Sequence, residues 1–344
     1  MTSDPAAALP VPTDMPVPAD TPHIEVTSPD PAPRPVLPVA FALLYATVLT
    51  ILPMDVFQDR GNYLAYADYS DFILWHYLID GWSAVIANEP LWLSLNIALA
   101  QFMGNYAAVR VIIFIPAFVV PFIVLRREHG SAAWLIFLFF MPLVIKNNII
   151  HLRQGVAVAL FVAGYYDKLT WRRWLILGLT PLVHSSFFFI LMIEIMTHAT
   201  ARLRLSPWVR MVLFTSFFLV LGLALSAVSA SLGARQAGEY EGASVEVSGA
   251  AFAYWIVVLA LFLSAGKEFL QKEAFAVSIL SFYLCVYFLT VVSGRIFESG
   301  LLFVLLAGTH LPGWRKKWFA AFIILFTLAN YIGRLNEPWL GWGV

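Results

Sequence analysis

The sequence predicts an all-α fold: a polytopic integral membrane helix bundle of about eleven transmembrane helices, plus one re-entrant or interfacial helix on the outer side. Three observations carry this. Of 344 residues, 60% are hydrophobic and only 12% charged, about half the charged share of a soluble domain. Mean hydropathy is +0.79. Long apolar runs recur along the chain, among them Leu37–Pro53, Val111–Leu125, Trp208–Leu232 and Phe275–Val292. Several of the 12 Trp residues (Trp171, Trp174, Trp208, Trp314, Trp318) stand at the ends of such runs, as interfacial anchors do.

Residues 1–36 differ from the rest. They are rich in Pro and Ala, with Arg34 as their single basic residue. The stretch has neither the basic start nor the apolar centre of a signal peptide, and it reads as a disordered cytoplasmic tail. Residues 37–344 then form a single transmembrane domain. A net charge of zero leaves no nucleic-acid footprint. The lone Cys285 lies in an apolar run and supports neither a disulfide nor a metal site.

Lys and Arg in short loops set the orientation. The basic clusters are Arg126–Arg127, Lys168–Arg172–Arg173, Arg202–Arg204–Arg210, Lys267–Lys272 and Arg315–Lys316–Lys317. Placing all five in the cytoplasm requires two features. The run from Trp174 to Met196 must be two short helices that meet near His184-Ser185-Ser186, at an outer apex. The short apolar stretch 91–104 must turn back rather than cross. Spans then fall at 37–54, 105–125, 131–145, 152–167, 173–185, 187–200, 208–231, 250–265, 275–292, 300–313 and 318–332. Under this map the amino terminus is inside, 55–89 is an outer segment, and 233–250 is a flexible outer loop. All but seven of the 21 Lys and Arg residues lie inside. The seven are Arg60, Arg110, Lys146, Arg153, Arg235, Arg295 and Arg334.

Ionisable residues near the membrane are costly and commonly functional. Here they gather on the outer side: Asp59, Arg60, Tyr63 and Tyr66, then Glu89, then Lys146, His151, Arg153 and Gln154, then His184, then Arg295 and Glu298. Five separate parts of the chain share one face, which points to a common site. Arginine binds phosphate oxygens through a planar fork and stays charged, so Arg60, Arg153 and Arg295 suit a diphosphate. Glu89 or His184 suits removal of a proton from an attacking sugar hydroxyl. Each residue also has a plainer use. An outer Arg snorkels to lipid headgroups, His184 can hydrogen-bond between helices, and Glu89 before Pro90 can complement a helix start. Lys146 and Arg110 can serve the site but suit packing or headgroup contact better. There is no zinc spacing, no P-loop and no Gly-x-Ser-x-Gly. No metal or other cofactor is expected.

These residues form an ordered series: Asp59-Arg60-Gly61-Asn62-Tyr63, Glu89-Pro90-Leu91, Arg153-Gln154-Gly155-Val156-Ala157, Val183-His184-Ser185-Ser186, and Arg295. The series resembles the EpsG family of exopolysaccharide polymerases, related in role to Wzy-type O-antigen polymerases, and spans Leu37 to Phe297. The resemblance implies a glycosyltransferase that joins oligosaccharide repeat units carried on undecaprenyl diphosphate, which is both donor and acceptor carrier. It acts in exopolysaccharide, capsule or O-antigen synthesis at the outer, periplasmic face of the bacterial inner membrane. A chain-length regulator and export machinery are the partners it implies. On that reading Glu89, His184 and Asp59 are the catalytic candidates. Arg60, Arg153 and Arg295 hold the diphosphate, and Tyr63, Tyr66, His151, Gln154 and Glu298 orient sugar. The alternatives are a flippase of lipid-linked oligosaccharide, which predicts ionisable residues at the bilayer midplane and internal repeats, and an envelope glycan ligase or acyltransferase.

Overall fold

Apolar segments in lipid must satisfy their backbone groups internally, and helices do so. The computed structural model, which describes residues 36–231, 249–290 and 292–344, is helical throughout, with sixteen α-helices and no strand among the described residues. The expected tail at 1–36 and loop at 233–250 lie, all but their last residues, outside the described residues. Pro35–Val344 forms one compact unit.

In chain order the helices are α1 (Val36–Ile51), α2 (Arg60–Asp80), α3 (Trp82–Ala87), α4 (Pro90–Phe102), α5 (Asn105–Arg127) and α6 (Ala132–Phe139). Next come α7 (Pro142–Ile145), α8 (Leu152–Tyr165), α9 (Thr170–Leu179), α10 (Phe187–Arg202) and α11 (Pro207–Ser231). The last are α12 (Gly249–Ser264), α13 (Lys267–Lys272), α14 (Ala274–Val286), α15 (Ser293–Thr309) and α16 (Trp314–Gly333). Among the described residues two are individually long and apolar enough to cross a membrane: Asn105–Arg127, with mean hydropathy 2.6, and Pro207–Ala224 within α11, with 1.7. Other apolar helices, α1, α4, α8, α12 and α14, are shorter.

Most expected elements fall within a few residues of their places. The expected helix 131–145 is split into α6 and α7 at Pro142, which opens the second piece because it lacks an N–H. The expected helix 300–313 begins earlier, at Ser293, so Arg295 and Glu298 sit on its first turns. Helix α2 lies in the segment 55–89, where no apolar run marks it. The break between α9 and α10 falls at residues 183–186, where the charge pattern required it.

Helix α1 lies along α5, α5 along α8, and α14 between α11 and α15. At the basic end the helix termini are stitched together. His310, just after α15, meets Glu128 at 3.0 Å and Glu273 at 2.9 Å. Tyr166 also bonds Glu128, and Arg173 pairs with Glu194 at 2.5 Å. At the other end, residues 56–58 are held by the segment 342–344. Gln58 N–H donates to Trp342 O at 2.9 Å, and Val344 N–H to Val56 O at 3.1 Å. That strap fixes the approach to α2.

Candidate active site

The site is built where α2, α4, α8, α15 and the 183–186 break meet. Glu89 precedes α4 in a left-handed conformation, φ 61° and ψ 53°. A non-glycine residue pays on the order of 1–2 kcal/mol for this. Glu89 occupies the N-cap position, yet its side chain makes no cap bond. The unusual backbone turns the carboxylate inward, where it is 4% exposed. There Oε2 meets Arg153 Nη1 at 2.5 Å. Oε1 meets His184 Nδ1 at 2.8 Å and accepts the Ser185 N–H at 3.1 Å. Burial pushes the Glu89 pKa up, but Arg153, His184 and the Ser185 N–H outweigh it and hold the group far below the usual carboxylate range.

Arg153 opens α8. Its Nη1 also donates to Tyr66 Oη at 3.4 Å, and its Cζ lies 5.3 Å from the Tyr66 ring centroid. Behind Tyr66, the fully buried Trp92 of α4 stands edge-on to Tyr63 and Tyr66, with ring centroids 5.7 and 6.0 Å away.

A second group adjoins the first. Glu298 of α15 accepts from Lys146 Nζ at 2.6 Å, and its other oxygen lies 3.7 Å from His151 Nδ1. Burial, then Lys146, Arg295, His184 and Arg153, push His151 down to about 3, so it stays neutral near pH 7. The cations Lys146, Arg295 and Arg153 gather around it, with the His184 ring among them. Gln154, 2% exposed, joins the two groups: Nε2 donates to Ser299 Oγ at 3.1 Å and to Arg295 O at 3.3 Å. Ser299 Oγ in turn meets Ser186 Oγ at 2.6 Å. The turn before α8 packs closely against the same helix, which explains the glycine after Gln154. A Cβ on Gly155 would collide with the carbonyl oxygen of Asn147.

The structure therefore brings Glu89, His184, Arg153 and Tyr66 into direct contact, and His151, Gln154, Glu298 and Arg295 beside them. Arg295 is exposed. Tyr63 packs behind. Two expected members stand elsewhere. Asp59 is exposed and accepts from Asn62 Nδ2 at 3.3 Å. Arg60 is 0% exposed, and its guanidinium donates to the carbonyls of Ile149, Leu52 and Pro53 at 3.0, 3.2 and 2.8 Å. It is a staple between the end of α1 and the turn before α8. Its burial, with Nε and Nη1 given to backbone carbonyls and Nη2 enclosed without a partner, sets it apart from the other residues read as diphosphate ligands. Arg60→Ala leaves buried carbonyls unpaired, so it is expected to destabilise the fold by about 3 kcal/mol. Thermal melting of the purified protein should fall, while polymer made per folded molecule stays unchanged.

Three contributors escaped the sequence reading in whole or in part. Lys146 was gathered with the outer ionisable residues but weighed toward packing or headgroup contact. Ser299 follows Arg295 by four residues, one helical turn, which would have pointed to it once the helix was known to begin at Ser293. Ser186 carried no signal beyond its motif. Among the described residues no group of three or more His, Cys, Asp or Glu side chains could hold a metal.

No curated protein and no solved structure matches the chain. The model of the EpsG family matches residues 37–335, nearly the whole length. That family consists of polysaccharide polymerases, which are membrane proteins. With its ordered motifs converging on one buried constellation, the chain belongs to the EpsG family, with the general role of a polysaccharide polymerase.

Proposed function

We propose that the chain joins oligosaccharide repeat units carried on undecaprenyl diphosphate, at the periplasmic face of the bacterial inner membrane, across which it passes about eleven times. The observation that carries this reading is the buried Glu89–His184 pair, braced by Arg153 and set beside the cations Lys146 and Arg295. An acid–base pair beside a group of cations suits an attacking hydroxyl and a diphosphate leaving group.

The acceptor's hydroxyl oxygen attacks the anomeric carbon of the donor chain. The bond from that carbon to the diphosphate breaks, and its electron pair leaves on the lipid diphosphate. The proton of the hydroxyl passes to His184 Nε2. A carboxylate can only accept, so Nδ1 is the ring nitrogen that carries a proton toward Glu89, and Nε2 is left for chemistry. Glu89 is the poorer base because three donors already hold its charge. It positions the ring. Arg295 and Lys146 stabilise the charge that builds on the diphosphate, commonly the largest contribution in such reactions, while Arg153, expected from the sequence to hold the diphosphate, is paired with Glu89. A chain-length regulator and export machinery act on the product.

Arg295→Ala is expected to cost about 3 kcal/mol of transition-state stabilisation, or 10²- to 10³-fold in rate. The measurement is polymer made in cells that hold equal amounts of wild-type and variant protein. Unchanged chain length would sink the diphosphate role. Analysis of lipid-linked material in a deletion strain tests the wider reading: a polymerase mutant accumulates single repeats on the outer leaflet, a flippase mutant traps them inside, and a ligase mutant holds long chains still on lipid.

A further inference from the structure

The same helix that opens with Arg153 ends in a second, unrelated feature. Its last residue lies about 20 Å further along the axis, at the basic end of the molecule. There the ends of α5 and α8 and the turn into α9 line an open cavity of about 360 Å³, within the range of ligand pockets. Its mouth carries Arg127, Lys168 and Arg172, and the one acid among its lining residues is Asp167.

The acid is already committed. Asp167 Oδ1 accepts the Leu169 N–H at 2.8 Å, and Oδ2 pairs with Arg172 at 3.3 Å. Arg127 and Lys168 have no ion pair among the described residues. The neighbouring acid that could have neutralised Arg127 is Glu128, and it is held by Tyr166 and His310. The mouth therefore keeps an excess of positive charge that the fold does not use.

The walls behind the mouth are different in kind. Ile123 stands one helical turn before Arg127 on α5 and Ala163 near the end of α8, so a short apolar strip adjoins the cationic rim. A free phosphate would use the rim and leave the strip in water. An amphiphile with a phosphate head and hydrocarbon tail uses both.

We propose that this cavity is a binding site for an anionic phospholipid of the leaflet opposite the candidate active site, with its phosphodiester held by Arg127 and Lys168 and an acyl chain along Ile123 and Ala163. Basic pockets between helices at the basic end of membrane proteins hold such headgroups. The proposal does not rest on the polymerase reading, since no residue of that site takes part.

The test is lipid titration of the purified full-length protein in detergent, followed by native mass spectrometry. The probes are phosphatidylglycerol, phosphatidylcholine and inorganic phosphate. Phosphatidylglycerol should bind in preference to phosphatidylcholine, and inorganic phosphate should not displace it at equal concentration. The double variant Arg127→Gln/Lys168→Gln should lose about tenfold or more in affinity, since each cation near an anionic headgroup contributes comparably. The double variant Lys316→Gln/Lys317→Gln, which removes equal charge from exposed positions on α16, should keep it. Equal loss in both variants would show only general attraction of basic surface for anionic lipid and would overturn the site. Displacement by inorganic phosphate would overturn the lipid in favour of a free anion.

Discussion

Replacing Glu89 with Gln is expected to destabilise the protein by about 3–5 kcal/mol, as breaking one side of a buried ion pair does, and to abolish polymer formation. Arg153 and His184 both lean on this carboxylate, at 2.5 and 2.8 Å. Without it the Arg153 guanidinium is left uncompensated in a partly buried setting. The double variant Glu89→Gln/Arg153→Gln should recover much of the lost melting temperature, since both charges go together, and recover none of the activity. Acid supplies an independent check. The folded pKa of Glu89 lies far below its unfolded value, ordinarily near 4.3. Its contribution is therefore complete above the unfolded value and is lost as pH falls through the folded one. The stability gap between wild type and Glu89→Gln should be constant near neutrality and close only in strong acid. A gap that closes already near pH 5 would mean that the carboxylate is not held by these partners.

How far the sequence disclosed this site depends on the kind of signal each residue left. Apolar runs disclosed α5, α8 and α11, because a helix in lipid writes its length into the chain. They missed α2, whose aromatic residues alternate with Asp68, Asp71, His76 and Asp80 and never form a run. The break at residues 183–186 came from counting charges on either side of it, a long-range constraint that local pattern lacks. Glu89 and His184 were both placed on the outer face, but their contact spans 95 positions, and nothing local encodes it. Arg60 and Arg153 looked alike in sequence. What separates them is the acceptor each one finds: three backbone carbonyls for Arg60 and a carboxylate for Arg153. Backbone carbonyls are the same at every position, so a sequence cannot announce which of them will take an arginine. For the same reason the Gln154–Ser299–Ser186 chain was invisible, since neutral hydroxyls and amides carry no charge pattern to balance.

His184→Gln should leave a folded protein that makes almost no polymer. A glutamine amide can still donate to Glu89, so the buried carboxylate keeps a partner in place of the imidazole and the fold is spared. What the amide cannot do is accept a proton from the incoming hydroxyl. Loss of a general base costs 10²- to 10⁴-fold in rate, and the fall should appear in kcat while the donor's KM changes little, because the diphosphate contacts are untouched. Arg295→Ala should raise the donor's KM as well as lower kcat, and that difference separates the base from the anion holder. His184→Ala offers a sharper form of the same test. It opens space at the carboxylate, and added imidazole should restore part of the rate there while doing nothing for His184→Gln, where the amide fills the space. If His184→Gln keeps wild-type turnover at equal protein, the proton leaves by another route. Glu89, with its three donors and deeply lowered pKa, is then still the wrong group to accept it, and Tyr66, whose hydroxyl already touches Arg153, is the next residue in line.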